Sequence, residues 1–121
     1  MKKIFHEKTL IGIHITDIDH GSNAVTDASH SLQVVTLKYP KGASTKIHQY
    51  SGAVKKTVGI QKHIIVINGK IKIDLYIDEN TKVNEIIIGK GESFILIEGG
   101  WKINFIEDSE LIETKNGPFV N

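Results

Sequence analysis

Short segments rich in isoleucine and valine, each closed by a turn signal, dominate this chain, and no stretch sustains a helical period. Residues 60–67 are the strongest such segment. They are apolar on both faces, which asks for burial on both, against a second sheet or a partner subunit. Asn68-Gly69 follows and reads as a type I′ hairpin turn, since that turn needs positive φ at both central positions. Residues 70–77 then alternate charged and apolar side chains, so one face is wet and the other buried. Further strands are expected at 83–88, 93–97, 101–106 and 111–115, divided by Gly89-Lys90-Gly91, Glu98-Gly99-Gly100 and Glu107-Asp108-Ser109. Upstream, 9–16 alternates loosely, 17–30 is polar with a loop at 19–23, and 31–39 and 45–50 read as strands around Pro40-Lys41-Gly42. A lysine-bearing loop is expected at 51–57. The sum is about nine strands without a long helix, an all-β chain whose two sheets wrap as a jelly roll.

Composition narrows the function. A chain of 121 residues is one domain, with N-terminal strands and a polar loop over 1–37 and a barrel core over 38–121. Net charge is +1 and the lysines are dispersed, so no basic field recruits nucleic acid or an anionic membrane. No segment approaches the roughly 18 apolar residues of a membrane span, and the first residues lack the apolar run of a signal peptide. There is no cysteine, which excludes disulfides, thiolate catalysis and Cys-type zinc sites and fits a cytoplasmic protein. There is no arginine either, so a nucleotide diphosphate would have to be held by lysine, hydroxyls and backbone amides. A lysine-favouring codon bias accounts for that absence without selection at any site.

The polar residues that carry chemistry gather around one stretch. Lys46, His48 and Tyr50 project to one face of their strand. Lys62 lies seven residues before Gly69. If Lys62 points inward, so do Ile64 and Val66; a slip of one residue turns His63, Ile65 and Ile67 inward instead, and the apolar pattern leaves both open.

These residues carry a resemblance. Gly42, His48, Tyr50, Lys62 and Gly69, with a second box from Gly91 to Trp101, are spaced like the two boxes of the cupin superfamily, which normally carry His, His, Glu and a final His. From Lys46 onward the chain is similar to small stand-alone cupins. His48, one residue, Tyr50, eleven residues and Lys62 after Gly59-Ile60-Gln61 stand where that pattern has His-x-His and Thr-Gln-Glu. Glu98-Gly99-Gly100-Trp101 stands where it has Gly-Gly-His. The resemblance implies a cupin-type jelly-roll barrel, a homodimer, and a loose link to surface-sugar, hence carbohydrate, metabolism. In the metal-binding pattern, positions 48, 50, 62 and 101 supply three imidazoles and a carboxylate. Here Lys62 brings a positive charge and Trp101 a ring whose nitrogen only donates, so no metal and no cofactor is expected unless His63 is recruited.

Each residue has a functional and a structural reading. His48 and Tyr50 suit an acid–base pair in a metal-independent sugar isomerase or epimerase, or are remnants of a lost metal site. Lys62 could attract an acid, or pack its stem and extend its ammonium to the barrel mouth. Trp101 could stack on a sugar or plug the cavity. Gln61 and His63 complete the expected ligand-binding set. The chain is expected to bind a small molecule, a sugar or small carboxylate, with the isomerase as the alternative; a structural or regulatory subunit with a filled pocket is the third reading, which requires Trp101 packed solid and the apolar outer face paired.

Overall fold

The computed structural model describes residues 1–46, the backbone of residues 48 and 49, and residues 61–118. Eleven strands lie among them: β1 (Lys2–His6), β2 (Thr9–His14), β3 (Gly21–Ala24), β4 (Leu32–Tyr39), β5 (His48–Gln49), β6 (Lys62–Asn68), β7 (Lys70–Asp78), β8 (Thr81–Gly89), β9 (Ser93–Leu96), β10 (Gly100–Phe105) and β11 (Ser109–Asn116). One sheet runs β3-β4-β11-β6-β9 and the other β5-β10-β7-β8, and β1-β2 form a separate hairpin. All pairings between named strands are antiparallel. This is the expected all-β jelly roll.

Two expectations about local structure are corrected. Asn68-Gly69 does not form a type I′ hairpin, because β6 pairs with β11 and β9 while β7 pairs with β8 and β10. Gly69 alone has positive φ, at 95°, and turns the chain from one sheet into the other. Gly99, at φ 87°, sits in the equivalent passage from β9 to β10. The strand inventory also grows at the N-terminus. β1 was not anticipated in the lysine-rich start, and β3 crosses the stretch read as a loop, held against β4 by backbone pairing its polar sequence does not advertise.

The core fills the space between the sheets. Ile64, Val66, Ile71, Ile73, Trp101, Ile103 and Leu111 are almost wholly buried, and Leu37, Ile88, Leu96 and Phe105 complete the cluster. Burial of each such side chain contributes about 1.5–3 kcal/mol before entropy is counted. One end of the barrel is closed by Tyr39 and Phe105, ring centroids 5.1 Å apart. Residues 42–45 run along β10 through Gly42 N–Phe105 O and Thr45 N–Ile103 O bonds of 2.9 Å, which leads the chain into β5.

The outer face of the four-stranded sheet is wet as expected, with one exception. Asp74 belongs to that face but is only 7% exposed. Lys82 Nζ lies 3.0 Å from Oδ1, Lys72 Nζ 3.7 Å from the same oxygen, and Asn104 donates to Oδ2 at 2.8 Å. Burial alone would raise the Asp74 pKa; the bonds from Lys82 and Asn104 and the two ammonium charges outweigh it and hold the carboxyl below its usual range.

Candidate functional site

The site lies at the barrel end opposite the Tyr39–Phe105 pair, where β6 and β10 begin and β11 ends. Antiparallel register decides which residues face it. Lys62 is the cross-strand partner of Lys115 and Leu96, Ile64 of Glu113 and Phe94, and Lys115 also of Gln33. Directly paired residues share a face. Ile64 and Val66 are fully buried, so Lys62 belongs to the inner set and the register left open by the sequence is settled.

Lys62 is 2% exposed. The expected stem-packed lysine with its ammonium at the mouth is therefore not what forms. Lys62 Nζ is 3.5 Å from Glu113 Oε1 and 5.4 Å from the centroid of the Trp101 ring. Glu113 is one step diagonal from Lys62 across the β6–β11 ladder, within reach of long side chains. The ammonium thus has a carboxylate beside it and an aromatic face below it, both of which stabilise a cation withdrawn from water. Such a pair contributes little net stability, but removing one partner strands the other and typically costs about 3–5 kcal/mol. Two lysines paired directly across strands repel, and Glu113 lies beside them to offset this.

Trp101 is 1% exposed and tilts against Phe94 with centroids 6.4 Å apart. It is packed solid, one of the two conditions set for a filled pocket, and its ring leaves almost no exposed face for a ligand to stack on. Its backbone pairs with that of His48 in the β10–β5 ladder. Positions 48, 62 and 101, far apart in sequence, are therefore brought to one end of the barrel. Tyr50 and the expected loop at 51–57 lie outside the described residues.

Gln61 and His63 are not brought into this cluster. Gln61 is exposed, and its backbone N–H donates to Asn116 Oδ1 at 2.9 Å. His63 alternates to the outer face, opposite Thr114 and Ile95. Two inner residues escaped the sequence reading. Glu113 was passed over as part of a terminal strand, although alternation over Leu111, Glu113 and Lys115 marks a single face. Gln33, 7% exposed, ends the inner row, and its Nε2 donates to His30 O at 2.8 Å and Asp27 O at 3.0 Å, holding the 27–30 turn against β4.

A divalent metal does not fit the residues seen here. The position at which the resembling pattern requires an anionic ligand carries an ammonium, and the last ligand position carries an indole whose nitrogen offers no lone pair. Among the described residues no three His, Asp or Glu side chains converge on a common point. No step is derived through a metal.

Comparison with known proteins places the fold. No family model matches the sequence, and no curated protein does so. Solved structures do. An RmlC-like cupin protein from Desulfovibrio desulfuricans superposes with a TM-score of 0.64 at 14% identity, covering 95% of this chain and 100% of that one. The cupin domain of Cnp3 from Schizosaccharomyces pombe gives 0.65 at 14%, over 89% of this chain and 70% of that one. KdgF from Halomonas sp. gives 0.57 at 17%, over 84% and 83%. The chain has the cupin fold, of the RmlC-like kind.

Proposed function

We propose that this chain is a cupin-fold small-molecule binding protein that works without a metal, and that its ligand is a sugar or small carboxylate held at the Lys62 end of the barrel. The observation that carries this reading is the buried ammonium of Lys62, lodged between Glu113 and the Trp101 ring. A fixed cation in a dry site attracts a carboxylate or the oxygen-rich edge of a sugar, and the strand bearing His48 reaches the same end. The test is a thermal-shift screen of sugars and organic acids, with and without divalent ions. A true ligand at a hundredfold excess over its dissociation constant stabilises the native state by about 2.7 kcal/mol. Stabilisation by divalent ions alone would overturn the proposal.

A metal-independent sugar isomerase or epimerase is the alternative, favoured by the pairing of His48 with Trp101. In that case a stabilising sugar acquires deuterium from heavy water, and His48→Gln abolishes the exchange. Binding without exchange leaves the chain a binding protein.

The partner we propose is a second copy, in a cytoplasmic homodimer. No helix among the described residues is long and apolar enough to cross a membrane. β1 and β2 form a hairpin whose Ile4, Phe5 and Ile11 are 49–64% exposed, and two strands alone are marginal in water. Ile95 of the edge strand β9 and Ile97 just past its end are also more than half exposed. Charges complement each other there: Lys2, Lys3 and Lys8 flank Ile4 and Phe5 of the hairpin, and Glu92 and Glu98 flank Ile95 and Ile97. Seating β1 of one copy along β9 of the other covers both apolar strips and an open edge. Ile95→Asp is expected to convert a dimer into a folded monomer by light scattering; a wild-type chain that is monomeric at all concentrations sinks this arrangement.

A further inference from the structure

We infer that the Lys62 ammonium is a resident cation, standing in for the metal that cupins of the resembling pattern would hold, and that Glu113 is the carboxylate that retains it. This inference rests on the metal-free reading and deepens it. It follows from a mismatch between two facts. The position that would carry an anionic ligand carries a cation, yet the barrel end still contains a carboxylate aimed at that spot, contributed by β11 instead of β6. Charge of each sign is present, but their places are exchanged. The Trp101 ring adds a negative π face at 5.4 Å, which suits a cation and is indifferent to a lost one.

The arrangement has a chemical consequence. Glu113 is 13% exposed at its side chain and faces an ammonium that is 2% exposed. If the ammonium is exchanged for an apolar group, the carboxylate remains in a poorly solvated place without that compensation. If it is exchanged for a second carboxylate, two carboxyl groups share the space, and a shared proton or an added cation relieves their repulsion. Of the divalent ions tried, manganese is the one that carboxylate oxygens suit best.

The experiment uses the full chain as wild type, Lys62→Met, Lys62→Met with Glu113→Gln, and Lys62→Glu. Thermal unfolding is followed at neutral pH, with and without manganese, nickel or zinc chloride and with a chelator. Wild type is expected to ignore all three ions. Lys62→Met is expected to lower the unfolding midpoint by about 5 °C or more, because it strands the Glu113 carboxylate in a poorly solvated place. Adding Glu113→Gln should recover at least half of that loss. Lys62→Glu should gain about 5 °C or more from a divalent ion, reversed by the chelator. A double variant no more stable than Lys62→Met removes Glu113 from the role. A folded Lys62→Glu variant indifferent to every ion shows that the barrel end accepts no metal in place of the ammonium. If Lys62→Glu does not fold, the loss in Lys62→Met and its recovery in the double variant decide. Wild type stabilised by the ions as strongly as Lys62→Glu would overturn both this inference and the metal-free reading. Wild type that binds no sugar or acid but shows the pattern above would sink only the ligand proposal.

Discussion

Trp101→Ala is expected to lower the unfolding free energy by about 3–5 kcal/mol, the range for truncating a large aromatic side chain in a packed core. At this chain length the midpoint of thermal unfolding should fall by roughly 10–20 °C. Three contributions add. Trp101 is the largest fully buried side chain, so its removal forfeits the most apolar area. Its contact with Phe94 is lost. Lys62 also loses the aromatic face beneath its ammonium, while its ion pair with Glu113 stays. Calorimetry on Trp101→Ala and Trp101→Phe separates structure from function. The phenyl ring keeps much of the packing and a π face, so Trp101→Phe should recover at least half of the loss. A ligand that binds by stacking on the indole would lose affinity in both variants, whereas a ligand recruited by Lys62 would keep it in Trp101→Phe. A loss below about 1 kcal/mol in Trp101→Ala would mean that the ring does not fill the barrel end.

How far the sequence reaches depends on which force sets each feature. Strand existence was legible where burial is one-sided or complete, as in residues 32–39, 62–68, 70–78 and 100–105, because apolar alternation reports the core directly. β3 was not legible, since Gly21, Ser22 and Asn23 carry no apolar pattern and are strand only because β4 supplies partners. The Asn68-Gly69 pair misled for a related reason. Positive φ at glycine was read correctly, but whether a turn closes a hairpin or crosses between sheets is decided by partners more than forty residues away in β11. At the site, spacing brought positions 48, 62 and 101 together in the reading, and the fold does bring them together. The burial of Lys62 was one of two readings the sequence left open, and local chemistry favours the other, because an isolated lysine prefers the mouth. It is retained inside by Glu113 on a strand that no local window around residue 62 includes. Long-range charge pairing is the part of this site that a single sequence hides.

Gly69→Ala should cost at least about 2 kcal/mol, and it tests the sheet-crossing corner. Residues other than glycine resist φ near 95°, a penalty of roughly 1–2 kcal/mol. A methyl group there would also run into Ser109 and the carbonyl oxygen of Asp108, which are backbone-anchored and cannot swing aside. Ser109 Oγ is itself engaged, donating to Glu107 O at 2.8 Å and accepting from Lys70 N at 3.1 Å, so the clash propagates into the start of both β7 and β11. Gly91→Ala provides the control. Its φ of 83° is comparable, but nothing lies within 4 Å of where the methyl would stand, so only the conformational penalty applies. Chemical denaturation of the two variants should therefore differ by about 1 kcal/mol or more, with Gly69→Ala the less stable. Equal losses would mean that Gly69 is needed for its backbone freedom alone and that the approach of residues 108 and 109 to the corner is not tight. A smaller loss at Gly69 than at Gly91 would contradict the corner geometry itself, and with it the separation of β6 and β7 into different sheets on which the inward direction of Lys62 depends.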